Sequence, residues 1–233
     1  MKHAQPQGLS RRRVEQLLSK TKSTRSTGNR IEVLSRHFLG SPYTTNPLIG
    51  SRTEPEVFVA SFDGFDCVTY VETILALARA SDANQFEDWL RRIRYESGAV
   101  QWKRRNHYMT EWIRMNSHGK NKPLHVIFPK DVPAVVKERT LDDVPDYPAR
   151  DVRFKCVPKP GIRKLAPYLQ TGDLIFFAST RPKLDVFHCG ILVRDGDRLL
   201  MRHAARSKGG VVEQDLNDFL KANRMAGVIA VRP

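Results

Sequence analysis

Cys67 is the residue in this chain whose type and position best suit nucleophilic chemistry. It lies early in the run 63–79, whose apolar spacing predicts a helix that Asp63 can cap. Unpaired backbone N–H groups and the positive end of the helix dipole favour an anion there, and so lower the pKa of a thiol. The carboxylate of Asp66 opposes thiolate formation, so a cationic partner is needed, and a histidine suits this best.

Two histidines near the C-terminus can supply that partner. His188 and His203 flank Asp195-Gly196, a dipeptide typical of a two-residue hairpin turn. With that turn, Arg194 faces Asp197 and His188 lies directly opposite His203. Both imidazoles then project from one face of the hairpin, with Cβ atoms about 4.5–5.5 Å apart.

These three side chains predict a thiol hydrolase. Cys67 would attack an acyl carbon, His188 would take and return the proton, and His203 would orient His188 and stabilise its imidazolium form. Tyr43 or the backbone N–H of Cys67 is predicted to donate to the developing oxyanion. A zinc site built from the same three side chains is the other chemical option. The chain has no Cys-x-x-Cys pair, however, and we expect neither a metal nor an organic cofactor.

The rest of the chain is predicted to hold this site on an α+β scaffold. Residues 1–29 combine a basic run with a polar stretch, and we interpret them as a flexible, positively charged arm. Residues 30–233 are predicted to form the catalytic domain, with helices first, a helical insertion at about 84–118, and mostly strands after 123. This order favours a helical layer on one face of a largely antiparallel sheet.

Three further side chains are assigned structural roles. Glu72, beyond Cys67 on the predicted helix, is expected to make a structural hydrogen bond or ion pair. Arg94 is expected on a solvated helix face. Cys189 alternates with His188 along its strand, so it should face the other side of the sheet and pack there as a small hydrophobe.

Charge and composition limit the classes of partner. The 233 residues contain 39 Lys and Arg against 25 Asp and Glu, a formal net charge of +14. Such an excess favours polyanionic partners, whether nucleic acid, anionic lipid or an acidic cell-wall polymer. No apolar run is long enough to span a bilayer, and three cysteines are too few for a disulfide framework. The N-terminal segment has no apolar signal core, so we expect either a cytoplasmic chain or the mature part of an exported one.

Several short motifs occur in an order known from one superfamily. They are LGSPY at 39–43, GFDC at 64–67, TGDLIFF at 171–177, HCGI at 188–191, and RHA at 202–204 followed by GGVV at 209–212. Together they resemble the NlpC/P60-type, papain-like cysteine peptidases and amidases. The motifs CVTYVE at 67–72, RIRY at 92–95 and HYMTEW at 107–112 are similar to the N-acetylmuramoyl-L-alanine amidase-like branch. This resemblance implies a papain-like fold and a bacterial cell-wall hydrolase that cuts between muramic acid and the stem peptide, located in the envelope or secreted.

The chain departs from the commoner family pattern at two places. Val68 follows the nucleophile position where the family has a small serine, and Thr44 begins a segment that replaces a Gly-Gly pair. In the resembling families both positions line the substrate groove, and the position of Asp66 also helps shape it. The departures therefore favour the amidase branch over γ-D-glutamyl-diamino acid endopeptidases.

Two alternatives to the amidase stay open. The first is an endopeptidase or acyltransferase that uses the same Cys-His-His site. The second is a basic nucleic-acid-binding protein without catalysis, although no recognised nucleic-acid motif is present. For the amidase, the expected partner is peptidoglycan or an anionic cell wall, with the protein acting as a monomer.

Overall fold

The computed structural model describes residues 9–118 and 123–233. The chain begins with five helices and continues mainly as strands. The helices are α1 Arg11–Ser19, α2 Thr27–His37, α3 Cys67–Arg79, α4 Ala83–Arg94, α5 Met109–Ser117, α6 Ile162–Leu165 and α7 Leu216–Ala222. The strands are β1 His125–Val126, β2 Val135–Leu141, β3 Arg150–Cys156, β4 Leu174–Ala178, β5 Val186–Asp195, β6 Arg198–Ala205, β7 Gly210–Asp215 and β8 Gly227–Arg232.

Six of the strands form one antiparallel sheet in the order β1-β8-β4-β5-β6-β7, and β2 and β3 form a separate hairpin. Helices and a largely antiparallel sheet confirm the α+β prediction. The prediction of a helical layer on one face did not include the apolar packing that the structure shows on the other face. Phe176 belongs to an apolar cluster on the side of α3, whereas Ile175 and Phe177 belong to a second cluster that includes residues of α6 and α7. Because both faces of β4 are covered, all five of its residues are buried.

Residues 11–29 do not form the mobile arm that the sequence suggested. Val14, Leu17 and Leu18 of α1 are buried in the main core. Their i, i+3, i+4 spacing makes a narrow apolar stripe, which is enough to attach a short helix to a larger core. The carboxylate of Glu15 accepts a hydrogen bond from the backbone N–H of Ala83, so α1 also caps the start of α4. Residues 1–8 of the predicted arm lie outside the described residues.

The N-cap of α3 lies three residues after the cap predicted at Asp63. Asp66 is the N-cap, and its side chain accepts from the backbone N–H of Thr69 at 2.7 Å. The Thr69 hydroxyl accepts in return from the backbone N–H of Asp66, which completes a capping box. The cap therefore places Cys67 at the first position of the helix. Asp63 lies in the preceding loop with a largely exposed side chain.

The β5–β6 hairpin differs from its predicted register by two residues. Asp195 pairs with Arg198, so the two-residue turn is Gly196-Asp197, with Gly196 at a φ of 56°. Glycine at the first turn position avoids placing Asp195 in the left-handed region, which the predicted turn would have required. A shift of two residues preserves the alternation of side chains, so His188 and His203 stay on one face.

Backbone pairing between β5 and β6 does not run the full length of the two strands. It ends at Ile191 and Arg202, although β5 begins at Val186 and β6 continues to Ala205. Beyond that point β5 pairs with β4, and β6 pairs with β7. The two strands therefore part from each other at one end of the sheet. The sequence did not predict β2, β7 or α7 as individual elements.

Candidate active site

Cys67 lies at the N-terminus of α3, next to the point where β5 and β6 part. The Sγ of Cys189, on β5, donates to the backbone carbonyl oxygen of Cys67 at 3.2 Å, which joins the helix to the strand. A hydrogen bond from Cys189 holds the pKa of the Cys67 thiol well below its usual range, and His188 lowers this pKa further, whereas burial acts in the opposite direction. The site therefore favours a thiolate, the form of cysteine that acts as a nucleophile.

The two histidines predicted to act together are in direct contact. Nε2 of His188 is 2.6 Å from Nδ1 of His203, and the two ring planes are nearly perpendicular at 83°. Phe219 of α7 lies against both rings, with centroids 5.4 Å from His188 and 5.6 Å from His203. The prediction that both imidazoles share one face is confirmed, but they meet diagonally across the gap between the strands.

His203 is suited to accept a hydrogen bond from His188. Its side chain is buried, with only 2% of the residue exposed. Burial lowers the pKa of His203 to about 4, and the charge of His188 contributes to the same shift. A histidine with this pKa is neutral near pH 7. It can therefore accept a hydrogen bond from an N–H group of His188 without repulsion between two positive charges.

Asp66 acts in this structure as the N-cap of α3. Burial raises the pKa of Asp66 to about 6, and the charge of Cys67 raises it too, while hydrogen bonds from Thr69 lower it. The coupling between Asp66 and Cys67 is reciprocal, so an ionised Asp66 disfavours the thiolate. The opposition between these two groups that the sequence suggested is therefore present in the structure.

Replacing Asp66 by asparagine is expected to lower the pKa of the Cys67 thiol. Asparagine is as good an N-cap as aspartate, so α3 keeps its start while one negative charge is removed. The measurement is the rate at which iodoacetamide alkylates Cys67 between pH 4 and 9. The pH at which this rate is half of its maximum should be lower in the variant. Asp63→Asn is the matched control because its side chain is exposed outside the cap. A midpoint that rises in Asp66→Asn would contradict the coupling.

Tyr43 is brought to the same site by a loop that bonds to the segment before β7 and to the segment before α3. Its backbone N–H donates to the carbonyl oxygen of Gly209 at 2.8 Å, and it forms a bridge with Phe65. Burial raises the pKa of Tyr43, and the negative charges of Cys67 and Asp66 raise it further. The phenol therefore keeps its proton near neutral pH, as a hydrogen-bond donor must.

Two glycines allow the Tyr43 loop to approach this closely. A Cβ on Gly210 would lie 2.5 Å from the carbonyl oxygen of Ser41, and a Cβ on Gly64 would lie 2.2 Å from the hydroxyl oxygen of Thr44. Neither distance is compatible with a side chain at the glycine. Gly64 and Gly210, in the motifs at 64–67 and 209–212, are therefore explained by packing against the Tyr43 loop.

A buried ion pair joins α3 to α4. Arg94 donates from Nε to Oε2 of Glu72 at 2.7 Å, and from a second nitrogen to the carbonyl oxygen of Val59 at 2.6 Å. Trp112 donates to the other oxygen of Glu72 at 3.1 Å. The structural role expected for Glu72 is confirmed. The solvated position expected for Arg94 is wrong, since its side chain is 3% exposed.

Replacing Glu72 by glutamine is expected to destabilise the protein by about 3–5 kcal/mol, because the guanidinium of Arg94 would stay buried without its counter-charge. Chemical denaturation followed by circular dichroism measures this change in the free energy of unfolding. The control is Glu87→Gln, which breaks a surface pair with Arg91 and is expected to cost no more than about 1 kcal/mol. Equal losses in the two variants would show that the buried pair has no special role.

Sequence reasoning missed two neighbours of the site. Cys189 was expected to pack on the opposite face from His188; it does face that way, but this is the side of α3, so it contacts Cys67. Phe219 belongs to α7, which was not predicted, although its apolar residues Leu216, Phe219 and Leu220 have helical spacing. That spacing was the available signal for α7. No local signal shows that Cys189 meets the start of α3.

The zinc alternative requires Cys67, His188 and His203 to converge on one ion. Instead, the facing nitrogens of the two histidines are within hydrogen-bonding distance of each other, which is too close for a metal ion between them. Within residues 9–118 and 123–233, no group of three or more His, Cys, Asp or Glu side chains could hold a metal ion.

The fold and the site together define an α+β protein that presents a cysteine and two histidines at one end of an antiparallel sheet. The model of the AmiA-like family, described as N-acetylmuramoyl-L-alanine amidase-like, matches residues 33–228. Since the match covers most of the chain, the protein belongs to the AmiA-like family. No match was found among curated proteins.

Solved structures show that the fold occurs in other proteins. A crystal structure of an N-acetylmuramoyl-L-alanine amidase from Bacteroides uniformis has a TM-score of 0.74 and 24% identity, covering 88% of this chain and 98% of that chain. A protein from Legionella pneumophila has a TM-score of 0.79 and 20% identity, with coverages of 95% and 93%. At these identities the likeness concerns the fold. Within the part of the chain that the structure describes, no helix has the length and hydropathy needed to cross a membrane.

Proposed function

We propose that this protein is a peptidoglycan hydrolase that cleaves the amide bond between N-acetylmuramic acid and L-alanine through a cysteine acyl-enzyme. The observation that carries the proposal is that Cys67, at the start of α3, interacts with His188, which is hydrogen-bonded to His203. Membership of an N-acetylmuramoyl-L-alanine amidase-like family supports the choice of bond.

The first step forms a thioester and releases an amine. The thiolate of Cys67 attacks the lactyl carbonyl carbon of muramic acid, and the electron pair of the C=O bond moves onto oxygen. The backbone N–H of Cys67 and the hydroxyl of Tyr43 are the donors that we assign to this oxyanion. When the C–N bond breaks, His188 gives its proton to the leaving nitrogen of L-alanine.

The second step returns the enzyme to its starting state. His188, now neutral, takes a proton from water, and the hydroxide formed attacks the thioester carbon. The C–S bond breaks, the lactyl carboxylic acid leaves, and Cys67 regains its thiolate beside the protonated His188. His203 accepts from Nε2 of His188 in the protonated states and so stabilises the imidazolium form.

We further propose that the fold is papain-like and of the NlpC/P60 type. A nucleophile at a helix N-terminus, packed against an antiparallel sheet that carries its histidine, supports this assignment.

A peptidoglycan substrate would place the protein in the cell envelope or outside the cell. The net charge of +14 would then favour binding to an anionic wall, and added salt should weaken that binding.

Mass spectrometry of purified muropeptides after incubation with the protein tests the proposed bond. An amidase releases a stem peptide with a free N-terminal L-alanine and a glycan with a free lactyl carboxylate. A new amine on the diamino acid would instead identify the endopeptidase alternative, and a lactyl group transferred to an added amine would identify an acyltransferase. Unchanged muropeptides, together with salt-sensitive binding of duplex DNA, would support the nucleic-acid alternative.

A further inference from the structure

One nitrogen of His203 has no hydrogen-bond partner. Nδ1 of this ring faces His188, whereas Nε2 is buried and contacts no atom with hydrogen-bonding distance and angle. Only 2% of the residue is exposed, so this nitrogen is shielded from bulk solvent. A buried N–H group without an acceptor destabilises the folded protein. It is therefore important whether this nitrogen carries a proton.

The proposed mechanism determines which nitrogen of His203 carries its proton, so this inference rests on the proposed function. When His188 is an imidazolium ion, both of its nitrogens bear protons, and its Nε2–H must donate to Nδ1 of His203. His203 is neutral because burial, followed by the charge of His188, lowers its pKa to about 4. Its single proton is therefore on Nε2, which makes the unpartnered nitrogen a donor that needs an acceptor.

Gln214 is the polar side chain that the sheet places beside this nitrogen. In the pairing of β6 with β7, His203 is opposite Val212 and Met201 is opposite Gln214. Gln214 is therefore the diagonal neighbour of His203 on the same face, within reach of a long side chain. Its amide is close enough to raise the pKa of His203, opposing the effect of burial. Phe219, which also contacts His203, offers no acceptor.

We propose that Gln214 is a positioning residue whose amide oxygen accepts a hydrogen bond from Nε2–H of His203. This bond fixes His203 in the tautomer that leaves Nδ1 free to accept from His188. It extends the series Cys67, His188, His203 by one neutral group on β7. A small rotation of the Gln214 side chain completes the geometry, and a neutral amide does so without adding charge to the buried site.

Nuclear magnetic resonance of the full-length protein with 15N-labelled histidine tests the tautomer directly. We expect His203 to carry its proton on Nε2 in the wild type, and to show a mixture of tautomers in Gln214→Leu. Gln214→Glu, which keeps an acceptor, should restore the Nε2–H form. A wild-type His203 protonated on Nδ1 would overturn the proposal, as would a Gln214→Leu variant, shown to be folded by its near-UV circular dichroism, with the wild-type tautomer.

The pH profile of kcat/KM on muropeptides separates a positioning role from a structural one. Its alkaline limb reports loss of a proton from the active form of the enzyme. The carboxylate in Gln214→Glu should move this limb to higher pH, and Gln214→Leu should move it to lower pH and reduce kcat by about tenfold. Glu213→Gln, on the same strand but bonded to Arg202 on the other face, is the matched control and should leave the limb in place.

The two readouts distinguish failure of this proposal from failure of the proposed function. The tautomer of His203 is measured without substrate, so an enzyme inactive on muropeptides leaves that result intact. Conversely, an active wild type whose alkaline limb moves in neither Gln214 variant would overturn the role of Gln214 while the amidase assignment stands.

Discussion

Cys67→Ala is expected to reduce hydrolysis of the muramoyl–alanine bond by at least about 10³-fold without unfolding the protein. The variant removes the sulfur that is proposed to form the thioester, while Asp66 and Thr69 still cap α3. Alanine suits a helix, so the free energy of unfolding should change by no more than about 1 kcal/mol. Product formation is followed by chromatography of muropeptides, and stability by thermal unfolding.

Cys67→Ser and Cys156→Ala complete this experiment. A serine hydroxyl at position 67 is not ionised near neutral pH, so Cys67→Ser should be as inactive as Cys67→Ala. Cys156 is a buried cysteine beside Ala226, away from the histidines, and Cys156→Ala should retain activity. Turnover retained in a folded Cys67→Ala protein would reject the nucleophile assignment.

Loss of His188 is expected to cost at least tenfold more activity than loss of the ring of His203. His188→Ala removes the group that is proposed to carry the proton, and general acid–base catalysis contributes about 10²–10⁴-fold. His203→Asn keeps an oxygen that can accept from Nε2 of His188, so the orientation of that ring is partly preserved. Values of kcat/KM for the two variants measure the difference, and equal losses would contradict the separate roles.

His203→Asn should also change how stability depends on pH. The unfolded chain binds a proton on His203 near pH 6.5, whereas the folded protein binds it only near pH 4. The unfolded state therefore holds more protons between these values, so wild-type stability falls as pH is lowered from about 6.5 to about 4. The variant lacks this contribution, and its free energy of unfolding should fall less over the same interval.

The sequence was informative where a local pattern and a physical rule agreed. The run after Cys67 predicted α3 because its apolar spacing continues for three turns, and alternation predicted that His188 and His203 share a face. The turn between them was predicted one residue before its true position, which shifts the pairing of the strands by two residues, because Asp195-Gly196 and Gly196-Asp197 both satisfy turn preferences. The even shift left the candidate site intact.

Other features could not be predicted because they depend on contacts between distant segments. The stripe formed by Val14, Leu17 and Leu18 is too short to distinguish a docked helix from a fluctuating one, since its stability comes from the core it meets. Arg94 is typical of a surface residue until Glu72 and the carbonyl oxygen of Val59 are brought to it. The sequence-based roles of the catalytic residues themselves stay predictions until the variants are measured.

The parting of β5 and β6 means that main-chain hydrogen bonds do not set the spacing of the two imidazoles. Beyond Ile191 and Arg202, the alignment of the rings depends on their own contact and on Phe219, which contacts both. Helix α7, more than 140 positions after Cys67 in the sequence, thus contacts both rings of the candidate site. Substitutions in that helix could alter turnover while every reacting group stays in place.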